Sequence, residues 1–164
     1  MRISAPMEVG FCCRDIDTLA RFYTEVLGFE LISVVEVDAA HARSAALSDG
    51  AYRVARLQTP WGERIKLLQP SKAPRQSKSA DWILERCNAA YVTFIVDDLA
   101  AMLARLADKA TVLTGREKVE VRPGVWLAFV RDPEGNLLEF VEYDDLPAYR
   151  EDLKSGASKS KARA

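Results

Sequence analysis

Val125–Tyr143, VWLAFVRDPEGNLLEFVEY, is the stretch that decides the fold. Alternating and β-branched apolar residues flank Asp132–Gly135, DPEG, so it reads as strand, tight turn, strand. Glu139 interrupts the second strand between Leu138 and Phe140. Burying an unpaired charge in a strand costs several kcal/mol. Glu139 therefore either faces water on a half-exposed strand or points into a polar pocket and works there.

Working outward, the same pattern occurs earlier. Thr59–Gln69 reads TPWGERIKLLQ and Asp132–Glu142 reads DPEGNLLEFVE, which sets Pro60 on Pro133, Gly62 on Gly135 and Lys66 on Glu139. Upstream of each hairpin, Glu8–Leu19 (EVGFCCRDIDTL) matches Tyr91–Met102 (YVTFIVDDLAAM), with Asp15 on Asp98 and Glu8 on Tyr91. The chain reads as two copies of one module with different internal loops.

Each copy reads as β-α-β-β-β. In the first, Glu8–Cys13 is a strand and Asp15 or Asp17 caps a helix. Ile16, Leu19, Phe22, Tyr23, Val26 and Leu27 form its apolar face, with Gly28 as the stop. Phe29–Val37 is a strand, and Ala39–Ser44 a loop carrying His41. Ala45–Leu47 and Tyr52–Leu57 form a hairpin closed near Asp49 and Gly50, and Arg64–Leu68 is the last strand. Ser79–Cys87 is a short helix anchored by Trp82 and Ile83. The second copy has strands at Tyr91–Val96, Ala110–Leu113 and Glu117–Val121, a helix over Leu99–Lys109, and the opening hairpin. A terminal helix over Leu146–Leu153 and a disordered basic tail, KSGASKSKARA, close the chain. The expected fold class is α+β: two βαβββ modules with curled mixed sheets forming an open barrel-like cavity. The boundaries are 1–69 for the first module, 70–89 for a linker with a short helix, 90–145 for the second module, and 146–164 for the terminal helix and tail.

Composition excludes several functions. Apolar residues make up 49% of 164, enough for a real core, and the formal net charge is −1. That charge supplies no general field for nucleic acid or an anionic membrane. No secretory segment opens the chain and no run of about 18 apolar residues occurs, so a cytoplasmic protein is expected. Three cysteines, Cys12, Cys13 and Cys87, include an adjacent pair that alternation sends to opposite faces. They read as buried small hydrophobes. From Arg53 to Lys78 there are seven Lys or Arg and one acidic residue. This bias is either a solvated surface or a face for a phosphate or carboxylate ligand. It lacks the continuous basic helix or aromatic platform that nucleic acid requires.

Arg14–Leu31, RDIDTLARFYTEVLGFEL, resembles the vicinal oxygen chelate superfamily, which contains glyoxalase I, bleomycin-resistance proteins, extradiol dioxygenases and methylmalonyl-CoA epimerase. Phe129–Phe140, FVRDPEGNLLEF, resembles that family's closing motif, and the order and spacing with VTFIVDDL extend the likeness over nearly the whole chain. KLLQP, the Trp82 segment and VDDLAAMLARLADKA are most similar to the epimerase branch. The resemblance implies a divalent metal held by one residue from each of four strands. Those positions carry Glu8, Lys66, Tyr91 and Glu139. A protonated lysine has no lone pair to offer, and two carboxylates alone make a poor transition-metal site. No cofactor is therefore expected; a metal, if bound, would use Glu8 and Glu139. Lys66 suggests a replacement: its ammonium would offset the repulsion between converging Glu8 and Glu139, pairing with one or both. The same triad could instead be purely structural.

The expected function is that of a small-molecule isomerase, epimerase or lyase acting by proton abstraction next to a carbonyl. Glu139 or Glu8 is the base, Lys66 and Tyr91 are the electrophilic partners, and His41 is an auxiliary acid or base. Trp61, Trp82, Trp126 and Arg53 are candidate substrate contacts. The competing reading is a non-catalytic protein that binds and sequesters an antibiotic-type ligand, whose flat face these tryptophans would hold. A third is a metal-dependent enzyme using Glu8 and Glu139. The partners expected are a small molecule and, by family resemblance, a second copy of the chain; neither nucleic acid nor membrane is expected.

Overall fold

The computed structural model describes residues 5–75, 82–85, 87, 89–115 and 117–154. They divide into two compact units. One takes the residues up to Ala90 together with the turn Arg131–Asn136; the other takes Tyr91–Val130 and the residues from Leu137 onward.

In the first unit β1 (Glu8–Cys12) leads to α1 (Ile16–Arg21), which runs on as a π-helical turn over Phe22–Val26. Asp15 caps it: Oδ1 accepts from the N–H groups of Asp17 at 3.2 Å and Thr18 at 3.0 Å. Ile16, Leu19, Phe22, Tyr23 and Val26 are buried. The wider π turn lets adjacent Phe22 and Tyr23 both point inward, their rings edge-on at 5.4 Å. Gly28, at φ +77°, ends the helix as the sequence predicts.

Next come β2 (Glu30–Val37), α2 (Ala39–Ser44), β3 (Tyr52–Gln58) and β4 (Arg64–Pro70). The sheet order is β1-β4-β3-β2, with β1 parallel to β4 and the other pairs antiparallel. Two expectations are corrected here. Ala39–Ser44 is a helix, because Asp38 Oδ1 accepts from the N–H groups of Ala40 and His41. Ala45–Leu47 is not a strand, and β3 pairs instead with β2 and β4.

Strand alternation sorts this sheet into two faces. Ala55, Leu57, Ile65 and Leu67 are buried on the side of α1. Arg53 lies on that side too and donates to Asp17 from both terminal guanidinium nitrogens at 3.0 Å. Arg56, Arg64 and Lys66 alternate to the opposite face. β2 is one of the two end strands of this sheet, with a bulge at Ile32 between paired Leu31 and Ser33. Leu31, Ile32, Val34 and Val35 are 40–47% exposed along it.

The second unit contains β5 (Val92–Ile95), α3 (Leu99–Leu106), β6 (Thr111–Val112), β7 (Val119–Arg122), β8 (Val125–Arg131) and β9 (Leu137–Tyr143). Its order is β5-β9-β8-β6, with β7 also on β8 and β5 parallel to β9. Asp98 caps α3 by accepting from the Ala101 N–H at 2.8 Å. Leu99, Leu103 and Leu106 are buried, as are Leu138 and Phe140 on β9. The chain is thus α+β, with two βαβββ modules and β7 as an addition to the second.

Further differences are local. The terminal helix is two single turns, α4 (Leu146–Tyr149) and α5 (Glu151–Lys154), because Arg150 leaves helical dihedrals at φ −119° and ψ 70°. Of the helix expected over Ser79–Cys87, the described residues show a 3-10 turn at Ile83–Glu85. Trp82 is 77% exposed, where a buried helix anchor was expected. Residues 76–81, 86 and 88 of the expected linker and 155–164 of the tail lie outside the described residues. Cys13 is buried as expected, but Cys12 and Cys87 are exposed. Among the described residues no helix is long and apolar enough to cross a membrane.

Candidate functional site

The first unit brings Glu8 and Lys66 together. Register pairs Gly10 with Lys66 and Glu8 with Arg64 across β1 and β4. Glu8 Oε2 lies 3.3 Å from Lys66 Nζ, and Oε1 lies 3.6 Å from Arg64 Nη1. These side chains are a third or slightly more exposed, so Glu8, Lys66 and Arg64 form an open ion cluster. Arg64 Nε also donates to Gln58 Oε1 at 2.7 Å. Lys66 is directly opposite Arg56 on β3, and Arg56 opposite Ser33 on β2. Arg56 Nη1 reaches Ser33 Oγ at 3.5 Å.

The second unit places Glu139 in the middle of β9, 9% exposed. Thr93 is its register partner on β5, and the Thr93 hydroxyl donates to Glu139 Oε2 at 2.6 Å. The two registers repeat one another: Gly10 opposite Lys66 becomes Thr93 opposite Glu139, as the sequence offsets require. Within its unit, among the described residues, Glu139 has no cationic partner. By alternation Tyr91 and Tyr143 lie on the same face of this sheet as Glu139. Tyr91 stands edge-on to Phe129 at 5.1 Å and is 44% exposed. Tyr143 stacks on Tyr149 at 4.1 Å. Burial first, then the Tyr149 hydroxyl, push the Tyr143 phenol up to about 12, so it keeps its proton at neutral pH.

The remaining candidates are placed as follows. His41, on α2, is four-fifths exposed, with Nδ1 at 2.6 Å from Asp38. Arg53 lies on the α1 side of its sheet, where it clamps Asp17, so it shares no face with Lys66. An open cleft of about 270 Å³ on that side, lined by Ala20, Leu31, Val34 and Arg53, is likewise separate from Lys66. Trp61 occupies a turn and is 67% exposed. Trp126 lies under Lys118 Nζ at 4.9 Å, on the β8 face shared with buried Ala128 and Val130 and away from Phe129.

Sequence reasoning missed four participants: Thr93, Arg56, Ser33 and Tyr143. The repeat offset, carried two residues past Glu8 and Tyr91, points at Thr93. Arg56 lies three residues beyond Arg53 on the same strand and therefore on its other face. It also missed the most deeply held acid. Asp132, 4% exposed, accepts at Oδ1 from the N–H groups of Glu134 and Asn136, both at 2.9 Å. Its Oδ2 accepts from Asn136 Nδ2 at 2.8 Å and from the Tyr23 hydroxyl at 3.1 Å. Burial raises its pKa, and these four donors oppose the rise.

The match to known proteins follows the same elements. The family model for the Glyoxalase/Bleomycin resistance protein/Dioxygenase superfamily matches residues 7–140. The chain belongs to this superfamily. A glyoxalase family protein from Bacillus cereus superposes with a TM-score of 0.73 at 23% identity, over 87% of this chain and 96% of that one. A glyoxylase/bleomycin resistance protein/dioxygenase domain from Frankia sp. gives 0.62 at 20% identity, over 88% and 96%. The trypanothione-dependent glyoxalase I of Leishmania major gives 0.60 at 16% identity, over 99% and 100%. These likenesses establish the fold. No curated protein matches the sequence, and nothing singles out the epimerase branch.

The superfamily implies a divalent metal, and the residues at its four positions do not fit one. Lys66 is an ammonium that already engages Glu8, and Arg64 approaches the other oxygen of the same carboxylate. Glu139 accepts from Thr93. Among the described residues no group of three or more His, Cys, Asp or Glu is placed to hold a metal ion.

Proposed function

We propose that this superfamily member is a small-molecule isomerase, epimerase or lyase working by proton transfer next to a carbonyl, with Glu139 as the base. One observation carries this: a carboxylate 9% exposed at the centre of a strand, held among the described residues of its unit by a single neutral hydroxyl. Leaving a buried acid without a cationic partner is costly, and such acids concentrate where chemistry is done. Thr93 occupies Oε2 and orients the carboxylate, which leaves Oε1 to take a proton from carbon. The electron pair moves to the substrate carbonyl oxygen. Tyr91 and Tyr143, phenols on the same face, are the donors within this unit suited to that oxyanion. Return of the proton gives an isomer or epimer, and loss of a β-substituent gives a lyase.

Deuterium exchange tests this reading. Small 2- and 3-oxo acids, 2-oxobutyrate among them, are incubated with the protein in D2O and followed by proton NMR. Enzyme-dependent loss of the C–H signal adjacent to the carbonyl is expected, falling by about 10²-fold or more in Glu139→Gln. Exchange that is unaffected by the variant, or absent across the series, overturns the reading. Tyr91 edge-on to Phe129 favours a second reading, sequestration of a planar ligand on exposed aromatic faces. Saturable binding without exchange would establish that one instead.

A further inference from the structure

One strip of the first sheet has no part in the chemistry assigned to Glu139. Reading across the strands, Gly10 on β1 pairs with Lys66 on β4, Lys66 with Arg56 on β3, and Arg56 with Ser33 on β2. Register partners share a face, so the four form one row on the face away from α1. At neutral pH the row carries two cations and one hydroxyl and no carboxylate. Like charges directly opposite one another on neighbouring strands are destabilising, yet Lys66 and Arg56 hold those positions, both half-buried.

The acids nearby do not resolve this. Glu8 is shared between Lys66 and Arg64. Glu30, also on this face, is opposite Gln58, which separates it from Arg64. Among the described residues Arg56 makes no ion pair, and its polar contact is Ser33 Oγ at 3.5 Å. Gly10 puts no side chain beside Lys66, which keeps the β1 end of the row low. A Cβ there would come within 3.2 Å of Leu68 Cδ1.

We infer that the row Gly10–Lys66–Arg56–Ser33 is a binding site for the oxoanion of a small ligand, a carboxylate or a phosphate. The planar guanidinium of Arg56 grips two of its oxygens. The Lys66 ammonium, shared with Glu8, and the Ser33 hydroxyl donate from either side. The bound anion separates the opposed cations and relieves their repulsion. This site lies wholly within the first unit and goes beyond the proposed proton transfer: it holds whether or not Glu139 is a base.

The test is a titration of the full-length, ¹⁵N-labelled protein with acetate and with inorganic phosphate, at constant ionic strength held with chloride. Saturable shifts of the Gly10, Ser33, Arg56 and Lys66 amides are expected, and the tighter of the two anions identifies the ligand group. Arg56→Lys keeps the charge and loses the fork, so affinity should fall by about tenfold. Lys66→Met should weaken binding to a similar degree. Lys72→Gln, an equal charge change at a distant exposed lysine, should leave it unchanged. The inference fails if Arg56→Lys binds as tightly as wild type, if Lys72→Gln weakens binding as much as Lys66→Met, or if neither anion shifts the row beyond chloride. Thermal melting confirms that each variant is folded.

Discussion

Two acids in this chain should pull stability in opposite directions with pH. Asp132 has a raised pKa because it is buried. The folded state therefore holds its proton more tightly than the unfolded chain. The stability this contributes is present below the unfolded value, near 3.8, and is lost as pH rises through the folded value. Glu142 has a lowered pKa, first through Lys118 Nζ at 2.8 Å and then through the Leu99 N–H at 2.7 Å. Its contribution is present above the unfolded value, near 4.5, and is lost as pH falls through the folded one. Urea denaturation of wild type, Asp132→Asn and Glu142→Gln between pH 3 and 7 should show the two wild-type-minus-variant differences moving with opposite slopes. Parallel slopes would show that one of the two environments is misassigned. A simpler change is Tyr23→Phe, which removes one of four donors to Asp132. It should cost about 1–2 kcal/mol, read as a lower urea midpoint at unchanged m-value. Glu139 was legible as an anomaly from its apolar neighbours alone. Asp132 was not, because Asp-Pro-x-Gly is satisfied by an ordinary exposed turn, and only the partner brought from Tyr23 makes this carboxylate a buried one.

The two modules share a device for starting their helices. In the first, Asp15 caps α1 while Gln69 Oε1, at the end of β4, accepts from the Ile16 N–H at 3.3 Å. In the second, Asp98 caps α3 while Glu142 Oε2, near the end of β9, accepts from the Leu99 N–H at 2.7 Å. Each helix start is thus tied both to its own cap and to the last strand of its sheet. Asp98→Ala should cost about 1 kcal/mol, with amide exchange faster over Leu99–Leu106 and unchanged over Ile16–Arg21. Equal loss of protection in both helices would show that the cap is not local. The sequence offsets set Asp15 on Asp98 and Gln69 on Glu142, so residue types and their spacing alone make this scaffold readable. The elements between the repeats are not readable in that way. Ala39–Ser44 has no apolar stripe and forms a helix through the side chain of Asp38. Arg150 splits the terminal helix by a backbone excursion that residue types do not announce.

At the scale of the whole chain, the turn Arg131–Asn136 groups with the first unit although the strands on both sides of it belong to the second. Glu134 accepts from the Arg14 side chain at 3.1 Å and from the Asp15 N–H at 2.9 Å. A change some 120 residues downstream should therefore be felt at the start of α1. Glu134→Ala is expected to speed amide exchange there by about tenfold, the equivalent of roughly 1.4 kcal/mol of local opening, with α3 unaffected. The reverse pattern would contradict the grouping. The contact also explains a limit of sequence reading. Two tandem repeats were visible by their offsets, but a turn of one copy serving the other has no periodic signature.

The end strand β2 has a practical corollary. Its bulge at Ile32 interrupts a run of solvent-facing Leu31, Val34 and Val35, and the strand carries no lysine or proline to discourage pairing with a stray chain. Concentrated stocks should cloud on storage and take up thioflavin dye. A gatekeeper change at the bulge, Ile32→Lys, should keep them clear at little expense in melting temperature, and equal dye uptake by the two proteins would acquit this strand.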